Sequence, residues 1–182
     1  MLRVTRLELP EVLLLEYPEN RDNRAISHRT LSKEQMLRAG IETEFVEEVF
    51  YHPFKKNTLD GLHFQNHPKP QAKLVYCTKG RILDCAVDLR KTSPTYKQWV
   101  SVELNAQNRR QLYIPAGFGH AALTLEDDTT IVMRVDHGFD PMLSKAIRYD
   151  DPDLGIPFHV LNPVLSAQDQ AAPGLAHRGC NL

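Results

Sequence analysis

Lys73-Leu74-Val75-Tyr76-Cys77-Thr78-Lys79-Gly80-Arg81-Ile82-Leu83-Asp84-Cys85-Ala86-Val87-Asp88 reads as two β-strands joined by a turn at Lys79-Gly80. Apolar residues alternate in short runs here, and the pattern continues downstream, bounded by Thr92-Ser93-Pro94, Pro115-Ala116-Gly117 and Glu126-Asp127-Asp128. It predicts strands near 73–78, 82–89, 99–104, 111–114, 120–125 and 129–136. Short strands joined by turns, without helices between them, argue for an antiparallel sandwich or barrel, and a jelly roll is the expected form. One short helix is expected over Lys33–Ala39: Ser32-Lys33-Glu34-Gln35 is a capping box and Gly40 a stop.

The period of two assigns faces. Lys73, Val75 and Cys77 share one side of their strand, and Leu83, Cys85 and Val87 are taken as the interior side of the next. Asp84 and Asp88 then fall on a solvated face. In the last strand Ile131, Met133 and Val135 point inward, opposite Val132, Arg134 and Asp136. The tail beyond Pro157 is expected to pack over the barrel as a loop with a helical turn.

A chain of 182 residues forms one domain. The expected division is a core over about 16–160 and a tail over 161–182. With 22 basic and 23 acidic residues the net charge is -1, so no global field attracts nucleic acid or an anionic membrane. Cys77, Cys85 and Cys180 are odd in number and lack CxxC spacing, which argues against a disulfide framework and a zinc knuckle. Residues 1–8 hold no apolar signal core, and no later run approaches membrane length. The expectation is a cytoplasmic protein with neither nucleic-acid nor membrane partners.

Asp60-Gly61-Leu62-His63-Phe64-Gln65, followed by Gln71-Ala72-Lys73-Leu74-Val75, puts a histidine and a lysine on what read as neighbouring strands. A histidine near neutral pH can take a proton from carbon next to a carbonyl, while a fixed ammonium stabilises the enolate oxygen that forms.

Further motifs are Ala86-Val87-Asp88-Leu89-Arg90, Ser93-Pro94-Thr95-Tyr96 with Trp99, Gln111 through His120, and Asp151-Pro152-Asp153-Leu154-Gly155-Ile156. In this order the set resembles the dTDP-4-dehydrorhamnose 3,5-epimerase family, enzymes of the cupin superfamily acting on nucleotide-linked 4-keto-6-deoxy sugars. The resemblance implies a mainly β, cupin-type jelly-roll barrel with short helices, a homodimer, a nucleotide-sugar substrate and no cofactor. His63 would be the base, oriented by Asp169 in Leu165-Ser166-Ala167-Gln168-Asp169. Lys73 would stabilise the enolate, with His120 as a second polar partner. Arg24 and Gln65 match positions that meet the substrate.

A metal-dependent cupin would need histidine pairs and an acidic ligand. Here His63-Phe64-Gln65 lacks the second histidine, and Lys73 sits near the place of the acid. No metal is therefore expected, although His67 could join His63 and His120.

Five positions depart from the family, among them Ser144 where a later glutamate is expected. Met133 stands where a tyrosine serves as acid, and a thioether donates no proton. Phe139 falls near a second tyrosine that flanks the nucleotide base. Asp60 replaces an arginine that binds the diphosphate, turning attraction into repulsion. Arg29 occupies an acidic position, and Arg24, Arg29, His28 and Lys55 or Lys56 are the candidates for an anion site that has been rebuilt or lost. Tyr51, Tyr76 or water could supply the missing proton. The leading expectation is a cofactor-independent epimerase. The alternatives are a ketoisomerase or single-centre epimerase, and a non-catalytic sugar-binding cupin.

Overall fold

The chain is described by a computed structural model covering residues 1–177 and 179–182. Its strands are β1 (Arg3–Arg6), β2 (Leu13–Glu16), β3 (Glu19–Arg21), β4 (Ile26–His28), β5 (Glu47–Tyr51), β6 (Leu59–Gln65), β7 (Lys73–Lys79), β8 (Arg81–Asp88), β9 (Trp99–Asn105), β10 (Gln111–Ile114), β11 (Phe118–Thr124), β12 (Thr130–Val135) and β13 (Ser144–Ala146). Helix α1 is Lys33–Arg38 and the helical turn α2 is Ala167–Gln170.

The strands form two antiparallel sheets packed face to face. One runs β1-β2-β10-β7-β12-β5, the other β13-β6-β11-β8-β9, and the hairpin β3–β4 pairs only with itself. This is the expected jelly-roll arrangement, and the six strands predicted between residues 73 and 136 all form within two residues of their expected ends. The barrel begins earlier than the expected core boundary near 16, because β1 and β2 already belong to the larger sheet. Helix α1 forms where its capping box lies. Ser32 Oγ accepts from the Gln35 amide at 3.4 Å, and the helix stops at Arg38, one residue short, with Gly40 at φ +79°.

Three apolar clusters hold these layers. Val75, Cys77, Ile82, Ala86, Leu112, Ile114 and Ile131 fill the space between the sheets. Leu62, Phe64, Cys85, Val87 and Leu123, on the outer side of the smaller sheet, are covered by Ile147, Phe158, Leu175 and Cys180 from the chain after β13. Leu13, Leu15 and Leu74, on the outer side of the larger sheet, pack against Met36 and Ile41 around α1. The tail thus packs over the barrel as expected.

Two expectations fail. Strand β8 is turned the other way: Ile82 and Ala86 face the inter-sheet core, while Cys85 and Val87 face the tail. Asp84 and Asp88, expected on a solvated face, are fully buried. The reason is that β8 is covered on both sides, so apolar alternation carries no sign of which side is inside. Strands β6 and β7 are not neighbours either but belong to opposite sheets. His63 and Lys73 therefore approach from two layers instead of lying side by side in one. Among the described residues, no helix is long and apolar enough to cross a membrane.

Candidate active site

The site grows from an irregularity in β6. His120 and Ala122 on β11 pair with His63 and Asp60 on β6, so β6 carries one residue more than its partner between these rungs. Such a bulge turns two residues three apart toward the same side. Asp60 and His63 both face the inter-sheet space as a result. Gly61 is the residue that permits this: its φ is +117°, and a Cβ there would sit 2.4 Å from the His120 carbonyl oxygen and 2.8 Å from Ala121 Cα.

His63 Nε2 lies 2.6 Å from Asp169 Oδ1, while Nδ1 is 3.6 Å from Asp60 Oδ1. Asp169 is itself held in place. Its amide donates to Ser166 Oγ at 3.1 Å, the cap of α2, and the Ser166 hydroxyl donates to Oδ2 at 2.8 Å. Burial by itself would raise the Asp169 pKa, but the His63 hydrogen bond and charge, Ser166 and the Gly61 amide outweigh it and hold the carboxyl below its ordinary value. An ionised carboxylate only accepts hydrogen bonds. His63 Nε2 therefore carries the hydrogen, and Nδ1 is left as the free base.

A second pair lies beside the first. His120 Nε2 is 2.6 Å from Asp84 Oδ1, both residues are buried, and Asp84 Oδ2 has no hydrogen-bond partner among the described residues. From the facing sheet comes Lys73, which is buried. Burial pushes its ammonium pKa down, and the charges of Asp60 and Asp84 partly offset that. Tyr51 on β5 is half-buried, and its pKa is pushed up to about 12, chiefly by burial and then by the charges of Asp60 and Asp169. The arrangement contains a base with a fixed tautomer, a buried cation from the opposite layer, and a second histidine.

Of the expected site residues, His63, Asp169, His120, Lys73 and Asp60 come together. Met133 also faces inward, between Val49 and Val75 in register and packed against the inter-sheet core. Gln65 does not offer its amide to the cleft. Its Nε2 donates to the Lys69 and Gly138 carbonyls at 2.7 and 3.2 Å, and its Oε1 accepts from the Asp140 amide at 2.9 Å, so it clamps the loop after β12. Phe139 stands on that loop, 70% exposed. Arg24 and Arg29 lie outside the cluster: both are exposed, Arg24 bonds Asp22 at 2.7 Å, and the hairpin leading to them pairs with neither large sheet.

Asp84 was missed by sequence reasoning. The available signal was an acid in the middle of Ile82-Leu83-Asp84-Cys85-Ala86-Val87, since a charge inside a strand apolar on both sides has to find a buried partner. Asp60, His63 and Asp169 place one donor atom each within 4.8 Å of one another, a group that could hold a cation. The Lys73 ammonium acts on Asp60, and His63 Nε2 already bonds Asp169, so this donor set fits proton transfer better than metal ligation.

The family model for dTDP-4-dehydrorhamnose 3,5-epimerase matches residues 6–177. The dTDP-4-dehydrorhamnose 3,5-epimerase of Salmonella typhimurium is 40% identical over 178 residues, 95% of each chain. Its counterpart from Bacillus anthracis, crystallised with TDP and PPi bound, superposes with a TM-score of 0.93 at 34% identity, covering 96% of this chain and 99% of that one. A dTDP-6-deoxy-D-glucose-3,5-epimerase from Legionella pneumophila, in complex with dTDP-4-keto-L-rhamnose, gives 0.92 at 31% identity, covering 97% and 94%. These likenesses bear out the resemblance read from the motifs and make the two-sheet barrel a cupin-type jelly roll. By sequence and by fold, the chain belongs to the dTDP-4-dehydrorhamnose 3,5-epimerase family.

Proposed function

We propose that the protein is a cofactor-independent epimerase of a nucleotide-linked 4-keto-6-deoxy sugar. The observation that carries this reading is the His63–Asp169 pair at 2.6 Å, with the buried Lys73 reaching the same space from the other sheet. His63 Nδ1 removes the proton from carbon next to the C4 ketone, and the electron pair of that C–H bond moves onto the ketone oxygen. The ammonium of Lys73 receives the developing enolate charge, with His120, held by Asp84, as a second polar group. Asp169 stabilises the imidazolium until the carbon is reprotonated. A positioned base contributes about 10²–10⁴-fold, and an oxyanion donor in a water-poor site about 3–4 kcal/mol. Asp60 beside the base weakens a diphosphate contact at that point, while exposed Phe139 supplies a stacking surface for the nucleotide base.

Incubation with a dTDP-linked 4-keto-6-deoxyglucose in deuterium oxide tests the reading. Solvent deuterium at C3 or C5 is expected, lost in His63→Asn. No deuterium at either carbon, with binding indifferent to that substitution, would instead favour a sugar-binding cupin. Met133 favours one narrower reading, inversion of a single centre, because the inward position on β12 carries no proton. Label and inversion at both C3 and C5 would exclude it. The epimerase reading also carries a cytoplasmic location and a homodimer, the latter supported by the exposed edge strand β5 and by Arg24 and Arg29 standing exposed to solvent.

A further inference from the structure

Inverting a carbon through a planar enolate takes two groups, one removing a proton from one face and one returning a proton to the other. His63 projects from the smaller sheet, so the returning group has to come from the larger sheet across from it. Among the residues of β5, β7 and β12 on this face, Val49, Val75, Ile131 and Met133 carry no exchangeable proton, and Glu47 at the far end of β5 is an exposed acid. Lys73, Cys77 and Tyr51 do. Lys73 is committed to the enolate oxygen, and the buried Cys77 thiol donates to the Lys79 carbonyl at 3.0 Å.

Tyr51 has the remaining suitable proton. It pairs with Ile131 across β5 and β12, two residues along from the Met133–Val49 pair, which puts it on the same face as Met133. It packs against the inter-sheet core, and its hydroxyl makes no hydrogen bond to another described residue. Burial first, and then the charges of Asp60 and Asp169, the two carboxylates that flank His63, raise its pKa. The other tyrosines of the larger sheet are occupied: Tyr113 bonds Thr43 at 2.7 Å, and Tyr76 lies under the Arg134 guanidinium.

We propose that Tyr51 is the proton donor opposite His63, delivering its hydroxyl proton to the enolate carbon on the face away from the imidazole. The Oη–H bond breaks as the new C–H bond forms, the enolate charge passes to the phenolate, and water reprotonates the phenolate while the imidazolium returns its proton to solvent. A phenol is a far stronger acid than carbon next to a ketone, so the transfer runs downhill. The hydroxyl stays protonated through neutral and mildly basic pH, since its pKa is pushed up to about 12.

The inference rests on the epimerase reading, and one experiment separates the two. In deuterium oxide, Tyr51→Phe is expected to keep His63-dependent exchange within a few-fold while inversion falls by about 10²-fold or more. Adding Met133→Tyr to that variant is expected to restore inversion, since it returns a phenol to the same face two residues along. Inversion at the unaltered rate in Tyr51→Phe overturns the assignment, as does exchange without inversion in the unaltered protein. Absence of exchange in the unaltered protein overturns the epimerase reading and the donor with it.

Discussion

At the scale of single residues, the base depends on a carboxylate that is buried and ionised at once. Asp169 achieves this through His63, Ser166 and the Gly61 amide, and replacing it with asparagine keeps the shape while removing the charge that fixes the tautomer. Asp169→Asn is expected to slow solvent exchange by about 10³–10⁴-fold, as loss of an orienting aspartate does elsewhere. Proton exchange followed by NMR measures this, and a change below ten-fold would show that Asp169 does not set the base. The acid side follows from linkage. A carboxyl whose folded pKa lies below its unfolded value stabilises the fold above that unfolded value, and the contribution disappears as pH falls through the lower folded value. His63 and Lys73 were readable because each sits inside a dense motif. Asp84 was not, since a single acid among apolar residues looks the same whether it meets solvent or a buried histidine.

The bulge in β6 is the structural element that makes the site. A regular strand would turn Asp60 and His63 to opposite sides, and the glycine at φ +117° is what lets the extra residue fit against His120 and Ala121. Gly61→Ala puts a methyl group within 2.4 Å of a backbone oxygen that cannot swing away. The expected result is a loss of about 2–4 kcal/mol in stability, read by denaturant unfolding, together with loss of exchange, because any relief moves His63. A variant as stable and active as the parent would show that the bulge is not needed. Elements of this kind explain what could be read beforehand. Apart from the four-residue β10, which is marked off by the turn at Pro115-Ala116-Gly117, the strands between residues 73 and 136 are long enough for alternation to register, and α1 has a cap and a stop, whereas β1 to β4 and β13 are three or four residues long and too short for any period. The face of β8 and the placement of β6 and β7 in different sheets depend on what covers each layer, which no local pattern carries.

Across the whole molecule, the cover is uneven. The tail seals the smaller sheet, and the segment around α1 seals one end of the larger sheet, but that cover stops short of β5. Phe50 there is 67% exposed and Phe54, just beyond, 72%, beside an edge strand whose outer backbone groups have no strand partner. Clustered exposed aromatics on a sheet edge mark an association surface. The hairpin β3–β4 adds no strand to either sheet and is held to its own barrel by side chains, Glu19 to Arg109 and Thr30 to Arg134, which leaves the exposed Arg24 and Arg29 facing outward, where they are proposed to serve the anion site of a second copy. A stable pair buries about 1,200–2,000 Å² of total surface. Sedimentation equilibrium is therefore expected to return twice the chain mass at micromolar concentration. Phe50→Glu, at an exposed position, is expected to halve that mass with little change in thermal midpoint and to weaken nucleotide-sugar binding, because the arginines leave with the partner. A monomer at every concentration would sink the dimer, and a monomeric variant that binds as tightly as the parent would leave the arginines without a role at the site.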